Sequence, residues 1–317
     1  MEKKTFLVGV VTGALLATVI IKSPAPAMPQ MTVALGDVPS GVSTVAPVAT
    51  PTAPTAAPTP QGVVQVADVV PDHADLGVSF GDAVVKMVQG GAIDKAKFVQ
   101  LYESRQPLSA QEKQLLDAPS RQHIVINPGN AGLLLNLLWP LGIANKSAAL
   151  SQGPLGTQLK DQVGNLASTG GWTLGNRDGA TLFNSLPLVS LTPAQETTVM
   201  AIAQHVYRPC CNNPTAMPDC NHGAAMLGFI ELAVSQGMPA EQVYRKALLL
   251  NAYWFPQNYV EIATFLMAKQ GVAWKDVDAA RVLDAAYSSG RGFGAVDAAL
   301  QAMGLLPKVN GGGSCGA

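Results

Sequence analysis

Residues 222–237 read HGAAMLGFIELAVSQG, and this stretch decides the predicted fold more clearly than any other part of the chain. Its large apolar residues recur three and four positions apart, as Met226, Phe229 and Ile230 do. That spacing places them on one face of an α-helix. Gly237 follows the last apolar residues and is a typical helix terminator, because glycine readily adopts the left-handed conformation that ends many helices. We therefore predict an apolar helix here.

The same kind of helix ending recurs downstream. Residues 236–243 (QGMPAEQV) match residues 270–277 (QGVAWKDV) at a spacing of 34, and Gly304 closes a third helical stretch 33 residues after Gly271. Each unit has an apolar helix ending at glycine, a short turn and a second helix, which is the arrangement of a helical hairpin. The period matches tetratricopeptide arrays, but the residues characteristic of those arrays are absent. We predict stacked helical hairpins that belong to no named repeat.

Apolar spacing is also helical in the first half of the globular part. Residues 80–88 repeat apolar side chains three and four positions apart, and residues 93–101 continue in the same way. Residues 132–139 predict a short buried helix that stops at Pro140, because proline lacks the N–H that a helix interior needs. Strand-like alternation is rare, and the stretch 124–191 is otherwise too irregular to assign.

Two helix starts carry a local signal. Ser109 with Glu112 and Thr192 with Gln195 have the spacing of a capping box, in which each side chain bonds the backbone N–H of the other residue. Pro193 suits the first position of the second helix, where its missing donor has no cost. Both pairs predict the first turn of a helix.

The amino terminus has the composition of a membrane anchor. Lys3 and Lys4 precede seventeen uncharged, mostly apolar residues, 5–21. As a helix this run would be about 26 Å long, at the short end of the length that spans a bilayer. The lysines predict a single-pass protein with its amino end in the cytoplasm and its main domain outside. The alternative is a cleaved signal peptide, because Ala25 and Ala27 resemble a small-residue cleavage site.

A proline-rich linker follows the anchor. Residues 23–71 hold ten of the chain's 23 prolines, two charged residues and no aromatic residue. Such a composition favours extended polyproline conformations over packing into a core. The predicted fold class is therefore all-α, on an anchor and a stalk. The predicted parts are the anchor (1–22), the linker (23–71), the extracytoplasmic helical domain with its C-terminal hairpin repeat (72–306) and a glycine-rich tail with Cys315 (307–317).

Composition and charge limit the classes of function. The 317 residues carry 20 Lys and Arg against 21 Asp and Glu, a formal net charge of −1. Phosphate recognition requires a surplus of basic residues, so we expect no nucleic-acid binding. The sequence contains no phosphate-binding loop, dinucleotide fingerprint, serine-hydrolase elbow or zinc-protease motif. We assign no catalytic residue and favour a non-enzymatic role.

The residues with the clearest chemistry lie in one loop, 208–223, at the start of the apolar helix. Cys210, Cys211 and Cys220 are three of the four cysteines and fall within eleven residues, and His222 follows them. Thiolate and imidazole are ligands that zinc and copper take in proteins. We therefore predict that this set of three cysteines and one histidine binds a soft metal ion, zinc or copper. Other residues that could contribute are less favoured: His205, Met217, Met226 and Cys315.

Two other uses of the same sulfurs stay open. In one, the loop is a redox-sensitive thiol cluster, because Cys220 lies beside a helix N-terminus whose backbone donors favour the thiolate. In the other, structural disulfides join Cys211 to Cys220 and Cys210 to Cys315, as an exported domain allows. The second alternative makes the protein a non-enzymatic interaction module with a protein partner in the cell envelope.

The same segments resemble a known group of proteins. The runs YRPCCNN (207–213) and DCNHG (219–223), with Gly-Gly-Trp at 170–172, resemble uncharacterised membrane-anchored bacterial proteins that share the first two segments, and the likeness covers roughly residues 130–254. The loop is more loosely similar to exported proteins with a PCYCGC motif, although the alternating third cysteine is missing here. The resemblance implies metal binding or thiol chemistry and no particular activity.

Overall fold

The computed structural model of the chain describes residues 64–306. Its two strands are β1 (Ala74–Gly81) and β2 (Ser120–Ile126). Its α-helices are α1 (Val66–Val69), α2 (Ala83–Gln89), α3 (Lys95–Glu103), α4 (Ala110–Leu115), α5 (Ala131–Ala144), α6 (Ala148–Ser151), α7 (Gly179–Leu182), α8 (Pro193–Ala203), α9 (Asn221–Ser235), α10 (Ala240–Trp254), α11 (Pro256–Gln270), α12 (Ala279–Leu283), α13 (Ala285–Ser288) and α14 (Gly290–Met303). Short 3₁₀ helices cover Lys160–Asn165 and Trp274–Asp276.

The described part is mostly helical, as predicted, but it is not all-α. β1 and β2 pair antiparallel in a two-stranded sheet, with Ala74 opposite Ile126. Leu76, Val78 and Phe80 alternate along β1 and are all buried. That alternation is typical of a strand with one face on a core, and it is the signal that the prediction overlooked. Phe80 therefore belongs to β1 and not to the helix that its spacing predicted.

The contact between α5 and α9 is the most extensive between any two elements of the described part. α9 corresponds to the predicted apolar helix, and all its residues from His222 to Val234 are buried. Two glycines bring the backbones close together. A Cβ atom on Gly142 would lie 1.8 Å from the carbonyl oxygen of Ala224, and one on Gly228 would lie 2.5 Å from that of Leu138. Because interiors are close-packed, larger residues there would force the helices apart.

α5 continues through Pro140, where the sequence predicts its end. Proline removes one backbone donor and crowds the preceding turn, so it usually ends or kinks a helix. Beyond it, Leu141 and Ile143 are fully buried. Their burial in the core offsets the cost of the proline, and the helix reaches Ala144.

Both predicted capping boxes are present. Ser109 precedes α4 and exchanges hydrogen bonds with Glu112 across the first turn. Thr192 precedes α8 and exchanges them with Gln195 in the same way. These helix starts were predictable because every partner lies within three residues.

The three glycines of the predicted repeat all follow helix ends. Gly237, Gly271 and Gly304 have φ angles of 80°, 66° and 67°, in the left-handed region that favours glycine. The chain then continues differently. After Gly237 comes the 15-residue α10, whereas after Gly271 come a 3₁₀ helix and the five-residue α12. The sequence match thus corresponds to a shared helix end, and the hairpin repeat stays a prediction.

The predicted anchor, most of the predicted linker and the tail with Cys315 lie outside the described residues. Residues 64–71, the last part of the predicted linker, contain α1, which packs against α11 and buries Val69. The folded part therefore begins before residue 72. Within residues 64–306, no helix combines the length and the apolar character needed to cross a membrane.

One ionisable residue of α9, Glu231, is completely buried. The side chain of Asn145, which follows α5, donates a hydrogen bond of 2.9 Å to its Oε2. Burial raises the pKa of Glu231 to about 8, and the hydrogen bond from Asn145 offsets only part of that rise. The folded chain therefore keeps a proton on Glu231 at neutral pH.

We expect Glu231→Gln to remove a pH dependence of stability. In the unfolded chain the group ionises near its ordinary pKa of 4.5, so between that pH and about 8 unfolding releases a proton. The ionisation of Glu231 in the unfolded chain therefore lowers the free energy of unfolding of the wild type by about 1.4 kcal/mol for each unit of increasing pH. The glutamine variant has no such proton to release. Its free energy of unfolding, relative to that of the wild type, should therefore increase by about 1.4 kcal/mol for each unit of increasing pH. Urea unfolding between about pH 5 and pH 8 measures the difference.

Glu241→Gln is the control for this experiment. Its carboxylate is exposed and pairs with Arg245 on the surface of α10. We expect its pH dependence to follow that of the wild type. Parallel pH profiles for wild type and Glu231→Gln would contradict a buried, protonated carboxyl group.

Candidate functional site

The cysteine loop joins α8 to α9 and is fixed by bonds to distant parts of the chain. Thr215 donates hydrogen bonds of 2.8 Å to the carbonyl of Val206 through both its N–H and its hydroxyl. The N–H of Tyr207 donates to the carbonyl of Leu283, at the end of α12. The Thr215 bonds fold the middle of the loop back onto its start, and the Tyr207 bond ties that start to the end of α12.

The folded loop brings three sulfurs into contact. Sγ of Cys210 lies 3.5 Å from Sγ of Cys211 and 3.8 Å from Sγ of Cys220, and the last two are 3.4 Å apart. All three are free thiols, so the disulfide between Cys211 and Cys220 is not formed in this structure. Cys210 is exposed and the other two are half-buried. Among the described residues, this is the one group of three or more cysteine, histidine or acidic ligands close enough together to bind a metal.

A buried arginine organises the loop. Only 1% of Arg208 is exposed. Its Nε donates to Sγ of Cys220 at 3.1 Å, Nη1 to the backbone carbonyl of Asn213 at 2.9 Å, and Nη2 to the carboxylate of Asp219 at 2.6 Å. The Asn213 side chain accepts a further bond from Nη2 and donates to Asp219. A buried charge is tolerated only when it is paired in this way. Arg208, at the start of the loop, is thereby bonded to Asp219 and Cys220 at its end.

The first turn of α9 completes the surroundings of that sulfur. Cys220 is the N-cap residue of α9, and its Sγ accepts the backbone N–H of Gly223 at 3.3 Å. This confirms the prediction that Cys220 lies at a helix N-terminus. A Cβ atom on Gly223 would lie 2.7 Å from the guanidinium carbon of Arg208. Glycine at this position therefore leaves the space that Arg208 occupies.

The start of α14 holds the other side of the loop. The N–H of Gly290 donates to the carbonyl of Cys211 at 2.8 Å, and the N–H of Arg291 donates to the side-chain oxygen of Asn212 at 2.8 Å. The first N–H groups of a helix have no partner within the helix and need such acceptors. The loop thus caps α14, and the position of Cys211 depends on a helix far along the chain.

The contacts make the three thiols chemically different. Hydrogen bonds from the Cys210 and Cys211 thiols, with the charge of Arg208, hold the pKa of Cys220 well below that of an ordinary thiol. The same sulfur–sulfur hydrogen bonds raise the pKa of Cys210. Burial lowers the pKa of Arg208, but the neighbouring sulfurs raise it overall, so the guanidinium stays charged. Cys220 is therefore the thiolate of the cluster and Arg208 is its counter-charge.

His222, predicted as the fourth ligand, does not belong to the sulfur group. Its ring packs against Phe255 and Trp254, with centroid distances of 4.5 Å and 5.7 Å, and its Nδ1 is buried without a hydrogen-bond partner. Burial lowers the pKa of His222 to about 4, so the ring is neutral at physiological pH. His222 lies two positions after Cys220 at the start of α9. Side chains two positions apart on a helix do not face each other, which explains why His222 is separated from the sulfurs.

The less favoured candidates have other surroundings. His205 is exposed, and its ring lies 3.3 Å from the carboxylate of Asp284. Met226 is buried within α9, and Met217 is half-buried in the loop, where its carbonyl accepts a bond from Arg208. Cys315 lies outside the described residues.

Sequence reasoning missed two residues of the site, Arg208 and Gly223. A signal for the first exists, because Arg208 and Asp219 are opposite charges that bracket an otherwise uncharged, cysteine-rich stretch. Such a pair indicates an ion pair that closes the loop. Gly223 carries no comparable signal, because its role depends on the side chain that packs over it.

No protein-family model, curated protein or solved structure matches the chain. The geometry and chemistry of the cysteine loop are therefore the basis for its function.

Proposed function

We propose that this is a membrane-tethered extracytoplasmic protein whose Cys210, Cys211 and Cys220 bind a soft metal ion, zinc or copper. The observation that carries the proposal is the triangle of sulfurs, with edges of 3.4, 3.5 and 3.8 Å. Zinc–thiolate bonds are about 2.3 Å long and tetrahedral, so two sulfurs on one ion lie about 3.8 Å apart. The triangle therefore has nearly the size of one face of that tetrahedron.

The donor set favours a soft ion. Thiolates select zinc and copper(I), whereas magnesium and calcium take oxygen ligands. The carboxylate of Asp219 is the acidic group of the loop, and both its oxygens are engaged, one by Arg208 and one by Asn213. The ligands that the loop presents together are therefore sulfurs.

The charge distribution supports the same function. Metal ligation requires deprotonated cysteines, and three thiolates in one half-buried group repel each other. Arg208 places a positive charge 3.1 Å from the sulfur of Cys220, and a bound cation would supply the remaining compensation. A bound cation would thus offset the electrostatic repulsion among the three thiolates.

The proposed location follows from the sequence. An anchor over residues 1–22 would hold the chain in the cytoplasmic membrane, and the proline-rich segment after it would separate the domain from the bilayer. In that location the site would bind metal ions of the cell envelope, and a protein partner would be an envelope protein.

We expect Cys220→Ser to lose metal binding while keeping the fold. Serine is a good N-cap residue, so the start of α9 is preserved while one of the three sulfurs is removed. The full-length chain with reduced thiols would be titrated with Zn²⁺ and, separately, with Cu(I), in competition with a coloured chelator. Wild type should bind one ion per chain. The variant should bind more than about 100-fold more weakly, since even an outer-shell change costs about 10–100-fold.

His205→Ala is the matched control, because His205 lies near the start of the same loop but is exposed and outside the sulfur group. It should bind metal as wild type does. The proposal fails if wild type binds neither ion, or if Cys220→Ser binds as tightly as wild type.

A redox-sensitive thiol cluster is the second candidate, favoured by the 3.4 Å contact between the sulfurs of Cys211 and Cys220. An external oxidant that takes two hydrogens from this pair would leave a disulfide. The intact mass of the protein from its native host separates the two functions. Added mass of a metal ion that is lost on denaturation supports the first, and a deficit of two hydrogens supports the second.

A further inference from the structure

The two outer edges of the β1–β2 sheet differ in their hydrogen bonding. On the outer edge of β1, the side chain of Gln236 bonds both the N–H and the C=O of Ser79, at 3.0 and 2.7 Å. The C=O of Asp75 accepts a further bond from Lys246 at 2.6 Å. Side chains thus cover the backbone of β1. Within residues 64–306, no third strand joins the sheet on the side of β2.

The backbone of His123 faces the outer edge of β2. His123 lies opposite Ser79 in the register of the sheet. Opposite residues of an antiparallel pair either exchange both backbone hydrogen bonds or exchange neither. Because the bonds of Ser79 go to Gln236, the N–H and C=O of His123 point away from β1. In the part of the chain that the structure describes, no other group bonds them.

A cleft of about 580 Å³ runs along this edge, within the size range of ligand sites. It is lined by all of residues 120–125. Side chains of a strand alternate between its two faces, so a cleft that touches six consecutive residues follows the strand edge. Its other sides are α4 and three buried leucines of α5 (Leu133, Leu134 and Leu137). The cleft therefore offers a backbone edge and apolar side chains to one extended chain.

The cleft also carries a free positive charge. Arg121 lines it and, among the described residues, has neither an ion pair nor a hydrogen bond. The other charged or titratable side chains of the cleft are engaged, Glu112 by the backbone of Ser109 and His123 by Asp75. This charge favours an acidic ligand.

Val125 adds an apolar contact on the same face of the strand as Arg121, because the two residues are four positions apart. Its exposed fraction is 45%, and it is one of the three large apolar residues of the described part that are exposed. An uncovered strand edge with an exposed apolar residue is a template for pairing with another chain.

We propose that β2 binds an extended, acidic segment of a partner protein, which adds to the sheet as an antiparallel third strand. Its central residue exchanges two backbone hydrogen bonds with His123, while an acidic side chain lies opposite Arg121 and an apolar side chain opposite Val125. Antiparallel pairing is the more stable arrangement per residue. The site is separate from the cysteine loop, so the proposal does not depend on metal binding.

A labelled synthetic peptide of sequence TVITVET tests the proposal. Paired antiparallel, its central threonine lies opposite His123, its first valine opposite Val125 and its glutamate opposite Arg121. Binding to the full-length, reduced protein would be followed by fluorescence anisotropy. We expect saturable binding, and binding at least about tenfold weaker for a peptide with a methylated central amide nitrogen or with lysine in place of the glutamate. Hydrogen exchange of the backbone should slow in β2 when the peptide binds.

Two variants of His123 separate the backbone from the side chain. His123→Pro removes the N–H that would bond the peptide and no bond to β1, because proline is tolerated where the N–H faces away from the sheet. His123→Ala keeps that N–H and is the matched control. We expect the proline variant to bind the peptide at least about tenfold more weakly and the alanine variant to bind it as wild type does.

Arg121→Glu tests the charge. It should reverse the preference of the protein, so that the lysine peptide binds more tightly than the glutamate peptide, which an unfolded variant cannot do. The proposal is overturned if wild type shows no binding up to about 1 mM peptide, if the methylated peptide binds equally well, or if exchange slows in another segment and not in β2. An unchanged preference in Arg121→Glu would overturn the acidic character of the partner.

Discussion

Gly142→Ala is expected to lose at least about 3 kcal/mol of the free energy of unfolding. The added methyl carbon would lie 1.8 Å from the carbonyl oxygen of Ala224, so α5 and α9 must separate by more than about 1 Å. The obstacle is backbone and has no other rotamer to adopt. Overpacking costs about 1–3 kcal/mol even where side chains can adjust, and we expect this change to reach the top of that range or exceed it. Urea unfolding followed by circular dichroism measures the loss.

Gly132→Ala is the matched control on the same helix. A Cβ atom on Gly132 meets nothing within 4 Å. Alanine favours a helix over glycine by about 0.8–1.0 kcal/mol, so this variant should be as stable as wild type or more stable. Equal unfolding midpoints for the two variants would show that α5 and α9 do not approach as closely as the structure indicates.

Arg208→Ala is expected to lose about 3–5 kcal/mol of stability and most of the metal affinity. The change leaves Oδ1 of Asp219 and the backbone carbonyl of Asn213 without the donors that Arg208 supplies. It also removes the positive charge beside Cys220, so the three sulfurs no longer meet in a fixed triangle. Urea unfolding and zinc titration of the same full-length preparation measure both losses.

Arg245→Ala provides the comparison for this variant. Its side chain is 58% exposed and pairs with Glu241 at 3.1 Å. Exposed ion pairs contribute about 0–1 kcal/mol, so the variant should unfold almost as wild type does and keep its metal affinity. A loss for Arg208→Ala no larger than that for Arg245→Ala would be incompatible with a guanidinium that holds the loop together.

The sheet and the course of α5 show where local patterns mislead. Phe80 fits a helical spacing with the residues after it, and it also fits the alternation of β1. The pairing of Ala74 with Ile126 decides between them, and no short window of sequence contains both residues. Pro140 predicts a helix end from its local chemistry. The helix continues past it, because Leu141 is buried in the core. In both cases a contact between distant residues outweighs the local preference.

In the cysteine loop, too, some features were predictable from local spacing and others depended on distant contacts. The closeness of Cys210, Cys211 and Cys220 along the chain was sufficient to predict that their sulfurs could meet. The place of His222 in the set was not predictable from spacing, because it depends on where α9 begins and on the aromatic rings of Trp254 and Phe255. Those rings belong to the end of α10 and the residue after it, which only the folded chain brings to the site.

Local sequence patterns were sufficient to predict the mostly helical class, the helix starts at Ser109 and Thr192, and the concentration of three thiols in one loop. Each of these depends on residues a few positions apart, where backbone geometry sets the distance. The burial of Arg208 against Cys220 and the hydrogen bond from Gly290 to Cys211 could be seen only in the folded chain. The same is true of the close approach of α5 to α9 at Gly142. These features depend on burial and on hydrogen bonds between segments far apart in sequence, which form only when the whole core is packed.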